Sequence, residues 1–293
     1  MSGGERFRPP LGRLQMLHEM GLSPLWRLRP QPSPRVSPPA GEVAAEPDRD
    51  PQTVGEAAAP APPTVVPVVP VVPLQAMAGN RLEEIAGMGW AQLRTSVADC
   101  RSCGLCQGRR QAVLGVGDPG ADWLFIGEGP GAEEDARGEP FVGPAGKLLD
   151  AMLAAIDLRR GDDVYIANAV KCRPPNNRTP EAAEIAACAP YLRRQIALLQ
   201  PRLIVLLGRA AAHALLGEVG SLASLRGRSF DYPAPAGGDS IPVIVSYHPA
   251  YLLRTLPDKA RAWEDLCRAR SLMRAAKAAA LACGATTNDP TPR

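Results

Sequence analysis

Residues 124–149 read LFIGEGPGAEEDARGEPFVGPAGKLL. The apolar run from Trp123 to Ile126 predicts a buried strand, and glycines at 127, 129 and 131 predict a turn with bare backbone amides. Carboxylates follow at Glu133, Glu134 and Asp135, then Pro140-Phe141-Val142-Gly143, after which Gly143 and Gly146 open an amphipathic helix. In an open α/β sheet, a loop at the carboxyl end of a strand is where ligands bind. An ordinary tight turn would need only the glycines. Acid groups and an isolated aromatic ring in the same connection point to a pocket.

Working outward, further strands are expected at 164–169, 203–207 and 243–246, with helices at 82–98, 147–158, 180–199, 209–216 and 258–282. Strands alternating with helices at this spacing imply a parallel sheet covered on both faces. The expected class is therefore α/β, a three-layer α/β/α sandwich around a central parallel four-stranded sheet. Right-handed crossovers put the strand carboxyl ends on one rim. That rim collects the 127–146 loop, the segment after Asn168, Gly208 and the run Ser246–Arg254.

The apolar content is unevenly spread. The chain has 293 residues, and half of its 32 prolines fall before residue 80. From Pro30 to Pro73 the frequent prolines remove amide donors and hold φ, which predicts an extended, polyproline-like linker (30–78) rather than helix or central strand. About 210 residues remain, enough for one good-sized domain, expected over 79–283 with a disordered tail at 284–293. Residues 1–29 form a separate short helical peptide ending near Ser23-Pro24-Leu25-Trp26, the pattern of a partner motif. A net charge of +3 excludes a broadly basic nucleic-acid glove but leaves room for a local phosphate-binding patch. No run of 18 apolar residues and no signal-peptide core are present, so a cytoplasmic, membrane-free monomer is expected.

Seven cysteines in such a protein argue for metal or reactive thiols over disulfides. Cys100 and Cys103 form a CxxC pair, Cys172 sits just past a strand and Cys188 lies in the next helix, a set that suits tetrahedral zinc or a cubane iron–sulfur cluster equally well. Cys106 makes a second CxxC with Cys103, whereas Cys267 and Cys283 fit the role of small buried hydrophobes. Asn168 ends its strand where a carboxamide would face the rim and read the edge of a flat heterocycle. His248 is held at the same rim by the following proline, ready to donate to an anion. His18 and His213 have no such placement.

With these residues assembled, the chain from about Leu82 to Ala282 resembles the family 4 uracil-DNA glycosylases, the iron–sulfur branch of their superfamily. The matching pieces are Gly127-Glu128-Gly129-Pro130-Gly131 with Glu134-Asp135, Gly138-x-Pro140-Phe141-Val142-Gly143-x-Ala145-Gly146, Asn168-x2-Lys171-Cys172-Arg173-Pro174-Pro175, Leu206-Leu207-Gly208 and His248-Pro249-Ala250. The resemblance implies a [4Fe–4S] cluster on Cys100, Cys103, Cys172 and Cys188, chosen over Cys106 by the CxxCxL wording. It implies uracil stacked on Phe141, read by Asn168, lined by Glu128, Gly129 and Pro130, and assisted by His248. Gly129 stands where another glycosylase family carries its water-handling aspartate, which leaves Glu134 as the candidate carboxylate with Glu128 and Asp135 behind it. Lys171, Arg173, Arg178 and Arg254 are the expected phosphate contacts, and Pro249–Arg254 the segment that enters the minor groove.

The implied activity is excision of uracil from single- or double-stranded DNA, leaving an abasic site. The alternatives are a non-catalytic DNA-binding module and the branch that is trapped covalently through a histidine in an inserted basic loop; after Asn168 this chain carries neither that insertion nor that histidine. The N-terminal peptide, over residues 10–30, is similar to that of the psi subunit of the bacterial replicative clamp loader, which implies contact with that assembly.

Overall fold

The computed structural model describes residues 66–67, 79–217, 220–234 and 240–285, all within one compact unit. The N-terminal peptide, nearly all of the linker and the tail after residue 285 lie outside the described residues.

The strands are β1 (Val66–Pro67), β2 (Val116–Gly117), β3 (Trp123–Gly127), β4 (Val164–Asn168), β5 (Leu203–Leu207), β6 (Ser229–Tyr232) and β7 (Ile241–Ser246). They pair in the order β1-β6-β7-β5-β3-β4-β2. Strands β4, β3, β5 and β7 run parallel to one another, whereas β2 and β6 join antiparallel on either side. The sheet is therefore mixed and wider than the four parallel strands expected. β2 and β6 escaped the sequence reading because neither is a continuous apolar run: β2 is two residues long and β6 alternates. Val66–Pro67 lies at the extreme edge, parallel to β6, where a residue without an amide donor costs no ladder bond.

Helices are α1 (Gly79–Gly87), α2 (Trp90–Asp99), α3 (Ala132–Arg137), α4 (Pro144–Ala154), α5 (Ala182–Leu199), α6 (Arg209–Leu216), α7 (Leu222–Leu225), α8 (Pro249–Arg254) and α9 (Lys259–Ala285). The single helix expected over 82–98 is two, broken at Met88-Gly89, and Gly89 starts the second with Gln92 reaching back to its amide. No helix among the described residues is long and apolar enough to cross a membrane.

Every residue of β3, β4 and β5 is buried, as parallel strands covered on both faces require. Alternation then sorts them. Leu124, Ile126, Ile204, Leu206, Val243 and Val245 pack with α2, α5 and α6, while Trp123, Phe125, Val205, Leu207 and Ile244 pack with α4 and α9 on the opposite face. Two cores of this kind make the sheet a rigid floor whose four central carboxyl ends open on one rim.

Candidate active site and thiol cluster

A cavity of about 680 Å³ opens at that rim. Glu128, Gly129, Pro130, Glu134, Phe141, Asn168 and His248 all line it, together with Arg178 and Arg254. Segments separated by more than a hundred residues are thus brought to one place.

Phe141 sits in the left-handed region at φ 56°, a conformation that costs a non-glycine residue roughly 1–2 kcal/mol. The surrounding backbone explains how it persists. Glu134 Oε1 accepts from the amides of Val142 (2.9 Å) and Gly143 (3.2 Å), and its Oε2 accepts from Gly131 (3.1 Å). Arg160 donates to the carbonyls of Pro140 (2.8 Å) and Phe141 (2.7 Å). Beneath the ring, Gly127 leaves space that a side chain would fill: a Cβ there would lie 2.5 Å from both Phe141 Cζ and Asn168 Oδ1. Gly146 is needed for the same reason, since its Cβ would fall 1.7 Å from the Phe141 carbonyl oxygen.

Asn168 is buried at 2% exposure at the end of β4, and its Oδ1 has no hydrogen-bond partner among the described residues. An unmet buried acceptor costs about 1–3 kcal/mol, which a donor on a bound ligand would recover. His248 caps α8, its Nδ1 accepting from the amide of Ala250 at 3.1 Å. With Nδ1 an acceptor, the neutral ring carries its proton on Nε2. Burial, reinforced by Arg254 and opposed by Glu134, lowers its pKa to about 4, so the ring is neutral at physiological pH. The rings of Phe141 and His248 are stacked, with centroids 5.4 Å apart at 26°. Burial also raises the carboxyl of Glu128, against a hydrogen bond from Thr179 that lowers it.

Three expected roles do not match the geometry. Asp135 is 2% exposed and accepts the amide of Arg110 with both oxygens, so it braces a neighbouring loop and does not line the cavity. Lys171 is 1% exposed and cannot touch a phosphate; its ammonium donates to Asn168 O at 2.8 Å and to Gln195 Oε1 at 2.5 Å, and burial lowers its pKa to about 8. Arg178 lines the cavity but is clasped by Glu184 (2.7 and 2.9 Å) with Glu181 at 3.3 Å, which leaves little of its charge for DNA. Arg173 donates to Asn177 at its surface position. Arg254 is exposed at the cavity mouth, with no ion-pair partner among the described residues.

Sequence reasoning missed Arg160 and Arg209, and placed Tyr247 on the rim without giving it a role. Arg209 follows Gly208 on the rim, so strand order alone would have found it. Tyr247 stacks on Tyr251 (4.9 Å) beneath the Arg226 guanidinium (4.3 Å) and forms part of the wall. Arg160 carried no local signal, because its partners lie ten to twenty residues away.

Behind β4, Cys100, Cys103, Cys106, Cys172 and Cys188 line a second, small cavity with Arg109, Lys171 and Tyr191. Among the described residues, no three His, Cys, Asp or Glu side chains converge closely enough to hold a single ion. The thiols surround a space instead. Burial pushes Cys188 up to about 12 and raises Cys172 and Cys103, so these groups become thiolates only beside a strong positive charge. Donors are already aimed at the sulfurs: Arg109 Nη1 to Cys172 Sγ (2.8 Å), the Lys171 amide to Cys188 Sγ (3.3 Å) and Arg81 to Cys100 Sγ (3.9 Å). Hydrogen bonds of this kind accompany iron–sulfur ligation. Cys267, expected to be buried, is exposed on α9.

The profile of the Uracil DNA glycosylase superfamily matches residues 114–267. Over 161 residues the chain is 45% identical to the type-4 uracil-DNA glycosylase of Archaeoglobus fulgidus, covering 54% of this chain and 79% of the relative. Identity to the type-4 enzyme of Thermotoga maritima is 43% over 181 residues, 61% of this chain and 91% of that one. A type-5 uracil-DNA glycosylase of Thermus thermophilus is 39% identical over 153 residues, 46% of this chain and 68% of the relative.

Proposed function

The chain belongs to the type-4 branch of the uracil DNA glycosylase superfamily, and we propose that its rim cavity receives a uracil extruded from DNA and cuts the bond to the sugar. The observation that carries the assignment of the site is the orphaned Oδ1 of buried Asn168 beside Phe141 and His248. Uracil offers a ring N–H flanked by two carbonyl oxygens, so Oδ1 accepts the N–H while the Asn168 amide donates to one oxygen. The Phe141 ring supplies a π-face for stacking, an interaction worth about 1–3 kcal/mol per base.

Extrusion costs a few kcal/mol, least for a mismatched or single-stranded base. Exposed Arg254 and Arg209, with half-buried Arg173, offset this through phosphate contacts. In the reaction the bond between the sugar carbon and the uracil nitrogen breaks, and its electron pair leaves with the base. The His248 Nε2–H donates to the uracil oxygen that gains charge, and the amides around Glu128–Pro130 add dipoles at the same place. Glu134, fixed by three amides, retains room to accept from one water and orient it toward the sugar carbon. Water adds there and gives up a proton, the uracil anion takes up one, and the products are free uracil and an abasic site.

Cys100, Cys103, Cys172 and Cys188 would hold a [4Fe–4S] cluster. When bound it supplies a charged cross-link between loops; glycosyl hydrolysis consumes no electron. The convergence of these cysteines on one small cavity and the donors aimed at their sulfurs support this reading. Residues 10–30 remain the segment proposed for a clamp-loader contact.

The test is uracil release from a single-stranded oligonucleotide. Full release by the unsubstituted protein is expected, with losses of about 10²-fold or more in His248→Ala and Asn168→Ala. Equal activity in both variants would overturn the site, and no release by the unsubstituted protein would overturn the function.

A further inference from the structure

Phe141 keeps its left-handed backbone between two grips of opposite charge. On the amide side, Glu134 accepts from Val142 and Gly143. On the carbonyl side, Arg160 places Nη1 on Pro140 O and Nη2 on Phe141 O, while its Nε is held by Asp150 Oδ1 at 2.8 Å. Arg160 is not among the residues lining the cavity. It follows α4 in a tight turn closed by the Arg159–Asp162 bridge and reaches the loop from behind.

The planar fork matches two successive carbonyls at once, a geometry an ammonium cannot reproduce. A residue in a disfavoured φ region stays there only when its surroundings over-determine it. Release of the two carbonyls would let the Phe141 peptide turn back toward ordinary φ, and the ring would leave its place over Gly127, where the fit to Phe141 Cζ and Asn168 Oδ1 tolerates no extra atom.

We infer that Arg160 is a positioning residue for uracil excision, holding the Phe141 ring in stacking register through the carbonyls of Pro140 and Phe141. The inference rests on the reading of Phe141 as the stacking platform. Its action is indirect and it touches no substrate.

The experiment is a mutant cycle on the full chain carrying its cluster, with single-turnover excision from a single-stranded uracil oligonucleotide. Inhibition by free uracil, affinity for the oligonucleotide and thermal midpoint are measured alongside. Arg160→Ala is expected to slow the saturated rate by about 10- to 100-fold, the scale of a small misplacement of a reacting group. Free-uracil inhibition weakens in step, while oligonucleotide affinity stays within about threefold because no phosphate contact is lost. Arg160→Lys restores part of the rate. In a Phe141→Ala background, Arg160→Ala produces no further loss, as expected of a residue acting through the ring. A full-speed Arg160→Ala, or losses that multiply in the double variant, would overturn the inference. Should Arg160→Ala fail to fold, Arg160→Lys in the same cycle decides, by the same criterion of non-additivity. An unsubstituted protein that releases uracil while the cycle multiplies leaves the functional reading standing and removes only Arg160's role.

Discussion

Lys171 donates its ammonium to the main-chain oxygen of Asn168 at 2.8 Å, three residues upstream and deep inside the protein. The same residue gives its backbone amide to Cys188 Sγ, so the end of β4 proposed to read the base and the thiol-lined wall meet in one residue. Lys171→Met should therefore behave unlike the loss of a phosphate contact. Asn168 O and Gln195 Oε1 lose their donor, and stability should fall by about 1–3 kcal/mol. Excision should slow as well, while the dependence of DNA affinity on salt keeps its slope. A slope reduced by about one would return Lys171 to the DNA surface.

The depressed pKa of His248 makes a prediction about acid stability. Unfolded, the ring titrates near its ordinary value of 6.5; folded, it does so at about 4. Between those values the unfolded chain binds more protons, so stability rises with pH across the window. The contribution is complete above pH 6.5 and lost as pH falls toward 4, up to about 3 kcal/mol. Denaturant unfolding at pH 4.5 and 7 should show a smaller difference for His248→Gln than for the unsubstituted protein. Between pH 6 and 8 the excision rate should show no limb from this ring.

Two carboxylates face the cavity with different surroundings. Both oxygens of Glu134 are fixed by amides, whereas burial raises the carboxyl of Glu128. Glu134→Gln should reduce the single-turnover rate by about 10²-fold, within the range for a positioned acid–base group, and lower the thermal midpoint as the Gly131 amide meets a donor. Glu128→Gln should cost about tenfold or less. The reverse order in rates would move the water-orienting role to Glu128.

Exposed Arg254 and Arg209 at the cavity mouth should each act as a plain phosphate contact. Binding of each alanine variant to single-stranded DNA, titrated with salt, should show a slope smaller by about 0.7, the increment for one phosphate on a single strand. Arg178→Ala should leave the slope nearly unchanged, because its guanidinium is already committed to Glu184.

The central strands were legible because fully buried strands are short apolar runs with little else to be, and they delivered Phe141, Asn168 and His248 to one rim. The edges were not: β6 alternates and α7 is a four-residue turn capped by Ser221, patterns shared with any loop. Side-chain roles failed where burial decides them. Nothing in the order of residues says that Lys171 turns inward while Arg173, two positions later and so on the same side of an extended chain, reaches the surface. That distinction comes from the helix packed over β4, which only the folded chain supplies.

Because β4, β3, β5 and β7 run the same way, Phe141, Asn168 and His248, the residues proposed to stack on, read and assist the base, follow or end three different strands. Each segment can vary where it faces the open cavity while the two apolar layers beneath stay as they are. A change of preferred lesion is thus open to small, separate steps, a modularity that directed evolution of this scaffold could exploit one loop at a time.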